Sequence, residues 1–117
     1  MNKNKSLAIK KAFTLAVKNH QERKTDIAIE LYNQVLEINP KHSATHYNLG
    51  GLFRGLKENE KAKSYFEKAI ELDPLNKKYM VGYGCTLLIL NDKLKGYEYL
   101  DKVEGVIKFT PMYYKII

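Results

Sequence analysis

Tryptophan is absent from this 117-residue chain, cysteine occurs once, proline three times, and arginine only at Arg23 and Arg54. Each shortage closes a class of explanation. One thiol, Cys85, cannot form an intramolecular disulfide and fits a reducing, cytoplasmic setting. No apolar run approaches the roughly 20 residues that span a bilayer, so no membrane-spanning helix is expected. Residues 1–17 are basic and partly apolar, but Lys10 and Lys11 interrupt any export-type hydrophobic segment, so this stretch is expected to be the first helix. Of the 20 basic residues 18 are lysine, whereas nucleic-acid readers lean on arginine for bidentate contacts and on interleaved aromatics. The net charge of +7 is therefore assigned to a solubilising surface. Pairs such as Glu58 with Lys61, Glu60 with Lys63 and Glu67 with Lys63 would each add a few tenths of a kcal/mol on exposed helix faces.

What is present is periodicity. Val35-Leu-Glu-Ile-Asn-Pro40 and Ala69-Ile-Glu-Leu-Asp-Pro74 are near-copies 34 residues apart, and a fixed period of that size marks stacked supersecondary units. Alignment on the prolines gives three blocks, 9–42, 43–76 and 77–110, each split into two helical segments. In the middle block Leu49, Leu52, Phe53 and Leu56 trace one apolar stripe. Ala62, Tyr65, Phe66, Ala69 and Ile70 trace another after the turn at Lys57-Glu58-Asn59. Pro74 ends the second segment, because the residue before a proline is pushed out of helical geometry. The first block follows with Ala12, Leu15 and Ala16, then Ala28, Leu31, Tyr32 and Val35; Thr25 is expected to cap its second helix. The third gives Met80, Tyr83, Leu87 and Leu88, a turn at Asn91-Asp92, then Leu94, Tyr97, Leu100 and Val103.

The middle block, with His46, Leu49, Gly50, Phe53, Ala62, Phe66, Ala69 and Pro74, resembles a tetratricopeptide repeat, departing from it at His46 where tryptophan is typical. The flanking blocks share its phase in more diverged form, the third with Tyr83 for leucine, Gly96 for alanine and Lys108 for the closing proline. The resemblance implies an all-α, right-handed superhelical solenoid of three helix-turn-helix repeats, followed by an apolar C-terminal tail. Small residues at Ala16, Gly50 and Gly84 would face Ala28, Ala62 and Gly96 across each hairpin, letting the helix axes approach.

Candidates for chemistry are few. His42 and His46 have the spacing of a zinc pair, yet no Cys, Asp or Glu lies nearby to complete it, so with His20 they read as structural. Cys85 has no neighbour that would lower its pKa, and Gly50, Gly51 and Gly55 fall inside a helix rather than a phosphate loop. No catalytic residue, metal or cofactor is expected, and the chain is not read as an enzyme. The glycines carry more information, since each costs a helix about 0.5–1 kcal/mol relative to alanine. Packing accounts for Gly50 and Gly84 but not for Gly51 and Gly82, which the repeat phase places on the concave side.

In tetratricopeptide domains the concave face commonly holds peptides. By the resemblance, the groove here is lined by Lys10, Phe13, Thr14, Val17, Tyr47, Asn48, Gly51, Arg54, Lys78, Val81, Gly82, Cys85 and Ile89. Of the clamp that some members use to grip a C-terminal carboxylate, only Asn48 and Lys78 match. The apolar groove with its basic margin is expected to suit an amphipathic or aromatic segment, and alanine at Tyr47 and Asn48 to leave the fold intact. The expected function is that of a protein–protein interaction module with a protein or peptide partner. Two alternatives are a self-associating structural protein and an accessory segment of a larger bacterial enzyme such as a glycosyltransferase. The tail, residues 106–117, is too apolar for a free end and is expected to cap the third repeat or to mediate homo-oligomer contacts.

Overall fold

The computed structural model describes residues 2–103, and these form six helices: α1 Lys3–Gln21, α2 Thr25–Ile38, α3 Ser43–Gly55, α4 Asn59–Leu72, α5 Lys77–Ile89 and α6 Lys93–Asp101. No strand occurs among the described residues. The close of the third block and the tail lie outside them. Within each hairpin the turn is made the same way. Arg23, Lys57 and Asn91 adopt φ of 63°, 64° and 68°, so the left-handed residue recurs at the 34-residue period. A left-handed residue after a helix lets the backbone N–H groups that follow return to its last free carbonyls. Lys24, Glu58 and Asp92 thus bond Asn19, Phe53 and Leu87 carbonyls at 2.8, 2.9 and 2.8 Å. None of the three is glycine, and only asparagine tolerates this conformation readily.

The expected cap at Thr25 is not formed. α2 begins at Thr25 itself, Lys24 holds the capping position, and no side chain bonds the first turn. The turn backbone already fixes the helix start, which leaves no place for a hydroxyl cap. Asn76 does cap α5, its side chain accepting from the Tyr79 N–H at 3.2 Å. Of the three expected ion pairs, Lys61 and Glu58 meet at 3.9 Å. Glu67 instead accepts a hydrogen bond from the Tyr83 hydroxyl at 2.9 Å, across the junction between the second and third hairpins.

The hairpins stack into an elongated body of 53 × 27 × 19 Å. α1 packs on α3 and α3 on α5, whereas α2, α4 and α6 touch only helices of the other row. The row whose members meet is the inside of the curve, so α1, α3 and α5 form the concave wall. Between the rows runs one continuous core of Ala16, Ala28, Tyr32, Leu49, Leu52, Phe53, Ala62, Phe66, Tyr83 and Leu87, with Ile9, Ala12 and Val35 forming a smaller cluster near the first end. Tyr32 and Phe66, both fully buried, occupy equivalent places and wedge between successive hairpins. Full burial of such a ring contributes several kcal/mol, which makes these two positions the principal anchors of the stack.

The small residues sit where backbones come closest. A Cβ on Gly84 would lie 2.9 Å from the Leu100 side chain and 3.1 Å from the Gly96 carbonyl oxygen. One on Gly96 would lie 3.0 Å from the Gly84 carbonyl. These two glycines face each other across the third hairpin, as expected. Gly82 requires a correction. Its Cβ position is 2.9 Å from the Phe66 ring, so packing does explain it: the glycine admits the wedge between α4 and α5.

Candidate functional site

The positions that the repeat phase assigns to the concave wall fall in three strips, one per inner helix. α1 contributes exposed Lys10 and Thr14 with half-buried Phe13 and Val17. α3 contributes half-buried Tyr47, Asn48, Gly51 and Arg54, and α5 contributes exposed Lys78 and Ile89 with half-buried Val81 and Cys85. Gly82 is buried beneath this surface and does not line it. Gly51 is its opposite: outside its own helix backbone and chain neighbours nothing lies within 4 Å of the place a Cβ would take, so the space over it is open.

The middle strip is an aromatic assembly. The Tyr47 ring stacks on Tyr79 with centroids 5.0 Å apart and meets Phe66 at 5.5 Å. Lys78 Nζ stands 5.2 Å from the Tyr47 centroid and the Arg54 guanidinium 5.5 Å from that of Phe66. Cations held over ring faces are attracted by the ring quadrupole and keep their charge available to a ligand. Burial raises the Tyr47 pKa; the Arg54 charge opposes this, while Tyr79 and Cys85 add to it. Tyr47 is thus a neutral, amphipathic platform with its hydroxyl protonated at physiological pH. At the first end Phe13 packs on His42 at 5.1 Å, beside a cleft of about 400 Å³ lined by Ser6, Ile9, Lys10, Thr14 and Asn39.

Alanine at Tyr47 and Asn48 is therefore not the neutral change expected. Tyr47 carries ring contacts to two helices, and the Asn48 side chain hydrogen-bonds the buried Tyr32 hydroxyl. His20 Nδ1 shares a further hydrogen bond with that hydroxyl at 3.0 Å. Sequence spacing had no means of finding this link, because the three groups lie on separate helices. The histidine pair is likewise engaged with its surroundings. His46 Nε2 donates to the Pro40 carbonyl at 2.8 Å, and His42 Nδ1 bonds Thr45 Oγ1 at 2.7 Å. Burial, helped by His46, lowers the His42 pKa from its ordinary 6.5, and burial lowers that of His20.

A larger cleft of about 500 Å³ lies away from the concave wall, between α4, α5 and α6, lined by Glu67, Ile70, Glu71, Pro74, Tyr83, Lys95 and Tyr99. Tyr83 stands there at the place of the family's leucine. Its ring meets Tyr99 at 4.7 Å, and its hydroxyl joins Glu67 and Lys95 in a polar cluster. The side-chain hydrogen bond to Tyr83 raises the Lys95 pKa. The tyrosine-for-leucine departure was the available signal for this cluster.

Comparison with known proteins agrees with this geometry. The tetratricopeptide repeat family matches residues 43–76 and, in a second form of the repeat, residues 13–42. The chain belongs to that family. It is similar to the "Protein CTR9 homolog" of Arabidopsis thaliana, 43% identical over 61 residues, 52% of this chain and 6% of that protein. Among solved structures it resembles the first such domain of Spaghetti (RPAP3) bound to an HSP90 peptide, with a TM-score of 0.80, 19% identity, and 86% and 80% of the two chains covered. It also resembles a Thermobaculum terrenum O-GlcNAc transferase, with a TM-score of 0.81, 21% identity, and 97% of this chain but 21% of that chain covered. Identities this low establish the shared solenoid and nothing finer. The fold is a general protein-interaction scaffold.

Proposed function

We propose that this chain binds a segment of a partner protein in the groove formed by α1, α3 and α5, in a reducing compartment that suits its free, half-buried Cys85. The observation that carries the reading is the open floor at Gly51 between two apolar walls. Phe13 and Val17 stand on one side, and Val81, Cys85 and Ile89 on the other, with Ile89 left 55% exposed. Successive apolar residues at i, i+4 spacing are what an amphipathic helix or extended peptide needs in a receptor. A C-terminal carboxylate clamp is not the mechanism, because Phe13, Val17 and buried Gly82 occupy three of its positions. The test is Gly51→Phe, which fills the floor without displacing any atom within 4 Å of the new Cβ. Partners retained by the wild type should be lost by this variant while its melting temperature stays close to that of the parent. Retention of every partner would place the binding surface elsewhere.

A second reading, self-association through the third hairpin, is favoured by α6. Leu94 is 85% exposed, and Leu100 is 8% exposed where its counterparts Tyr32 and Phe66 are at 0%. Removal of residues 106–117 should then change the mass measured by light scattering. Unchanged mass and unchanged melting would dismiss any capping or assembly role for the tail. Service as an accessory segment of a larger enzyme has support from the shared fold only.

A further inference from the structure

The charges of this molecule are not scattered; they are sorted by row. Helices α1, α3 and α5 contain eight lysines and arginines and no aspartate or glutamate. All 13 acidic residues of the chain lie on the outer helices, in the turns or beyond α6. The concave row alone therefore carries +8 in a chain whose total is +7, and everything else sums to about neutral. Solubility needs net charge but not this division, since interspersed signs on all faces serve it as well. Three of the eight, Lys10, Arg54 and Lys78, are at positions assigned to the groove, and no acidic residue is.

The cations nearest the groove are also uncommitted. Among the described residues no carboxylate stands in ion-pair range of Lys10, Arg54 or Lys78; the ion pairs there join Lys24 to Glu22 and Lys61 to Glu58, both off the inner helices. Lys78 and Arg54 are steadied over ring faces instead, which restricts their motion without neutralising them. A concave wall of one sign raises the local concentration of the opposite sign and speeds its capture. A groove with apolar strips and free cations at its edges favours a ligand with an apolar ridge flanked by carboxylates.

Resting on the groove reading above, we propose that the occupant is an acidic amphipathic helical segment of a partner protein. Its apolar ridge would lie over Gly51 between Val17 and Cys85, and its Asp and Glu side chains would meet Lys10, Arg54 and Lys78. The apolar strips favour protein over nucleic acid, since a polynucleotide gains from stacking platforms and phosphate contacts but has no use for Val17, Val81 or Ile89.

The experiment pans a displayed library of helix-forming peptides, about 15 residues long to match one inner helix, on the full chain, with Gly51→Phe as the counter-selection. Enriched peptides should carry net negative charge on both sides of an i, i+4 apolar ridge. Their affinity should fall about 10-fold in a Lys10→Glu, Lys78→Glu variant at low salt, with the loss shrinking at high salt. Enrichment of neutral or basic peptides overturns the charge inference while leaving the groove in place. Failure to enrich anything over the counter-selection overturns both. Binding of a single-stranded RNA of similar length more tightly than any selected peptide, with the same sensitivity to charge reversal, would also overturn the proposal by making the acidic partner a nucleic acid.

Discussion

The inner and outer rows of this solenoid are built from the same repeat but divide its labour. The outer helices supply the large wedges, Tyr32, Phe66 and Leu100, together with nearly all of the balanced surface charge. The inner helices supply the small residues that admit those wedges, Gly50, Gly82 and Gly84, and on their other side a cationic, partly apolar wall. Stability therefore concentrates at the junction between the rows, and the proposed recognition at the free face of one of them. A substitution should report on one or the other according to which side of an inner helix it meets.

The largest effect is expected where a wedge is removed. Phe66→Ala would leave Gly50 and Gly82 facing a cavity, because the three atoms nearest a Cβ on either glycine all belong to that ring. Such truncations cost about 3–5 kcal/mol, so thermal unfolding should move down by about 15 °C or more. A shift of a few degrees would mean that the hairpins hold together by other means.

Next comes a pair of glycines that should answer alanine with opposite signs. At Gly84 the new methyl meets the Gly96 carbonyl at 3.1 Å, and backbone cannot yield as a flexible side chain can. Gly84→Ala should destabilise by about 1–3 kcal/mol in denaturant titrations. Gly51→Ala meets open space and should stabilise by about 0.5–1 kcal/mol through helix propensity alone. Equal signs would erase the distinction between the two sides of the inner row.

The smallest effect is the pH dependence. His20 and His42 have pKa values lowered from 6.5, mainly by burial, so the unfolded chain takes up their protons before the folded one does. Their contribution to stability is complete above pH 6.5 and is lost as pH falls through the lower folded values. Denaturation midpoints should accordingly drop on acidification below that point, and less so in a His42→Asn variant. A midpoint that rose on acidification would reverse the assigned direction.

Much of the architecture was legible because the 34-residue period fixes phase. Once Pro40 and Pro74 are aligned, the places of the turns and the six helices follow from counting. Other features did not follow. Gly82 looked free because phase gives a direction but not the reach of Phe66 from the neighbouring hairpin. Tyr47 and Asn48 looked dispensable because their partners, Tyr79 and Tyr32, belong to other repeats. The left-handed turns at Arg23 and Lys57 carry no glycine to announce them. The charge sorting is different in kind, since it stood in the sequence throughout. Beyond residue 21 lysines and acids interleave along the line of the chain, and the division appears only when alternate helices are recognised as one surface.

Two double reversals of equal charge separate the rows without disturbing the core. Lys10→Glu with Lys78→Glu alters the inner wall, and Lys68→Glu with Lys93→Glu alters exposed outer positions. Titrated with a peptide selected on the wild type, the inner variant should bind about 10-fold more weakly and the outer variant as the parent does. Equal weakening in both would show that net charge, and not its placement on the concave row, governs recognition.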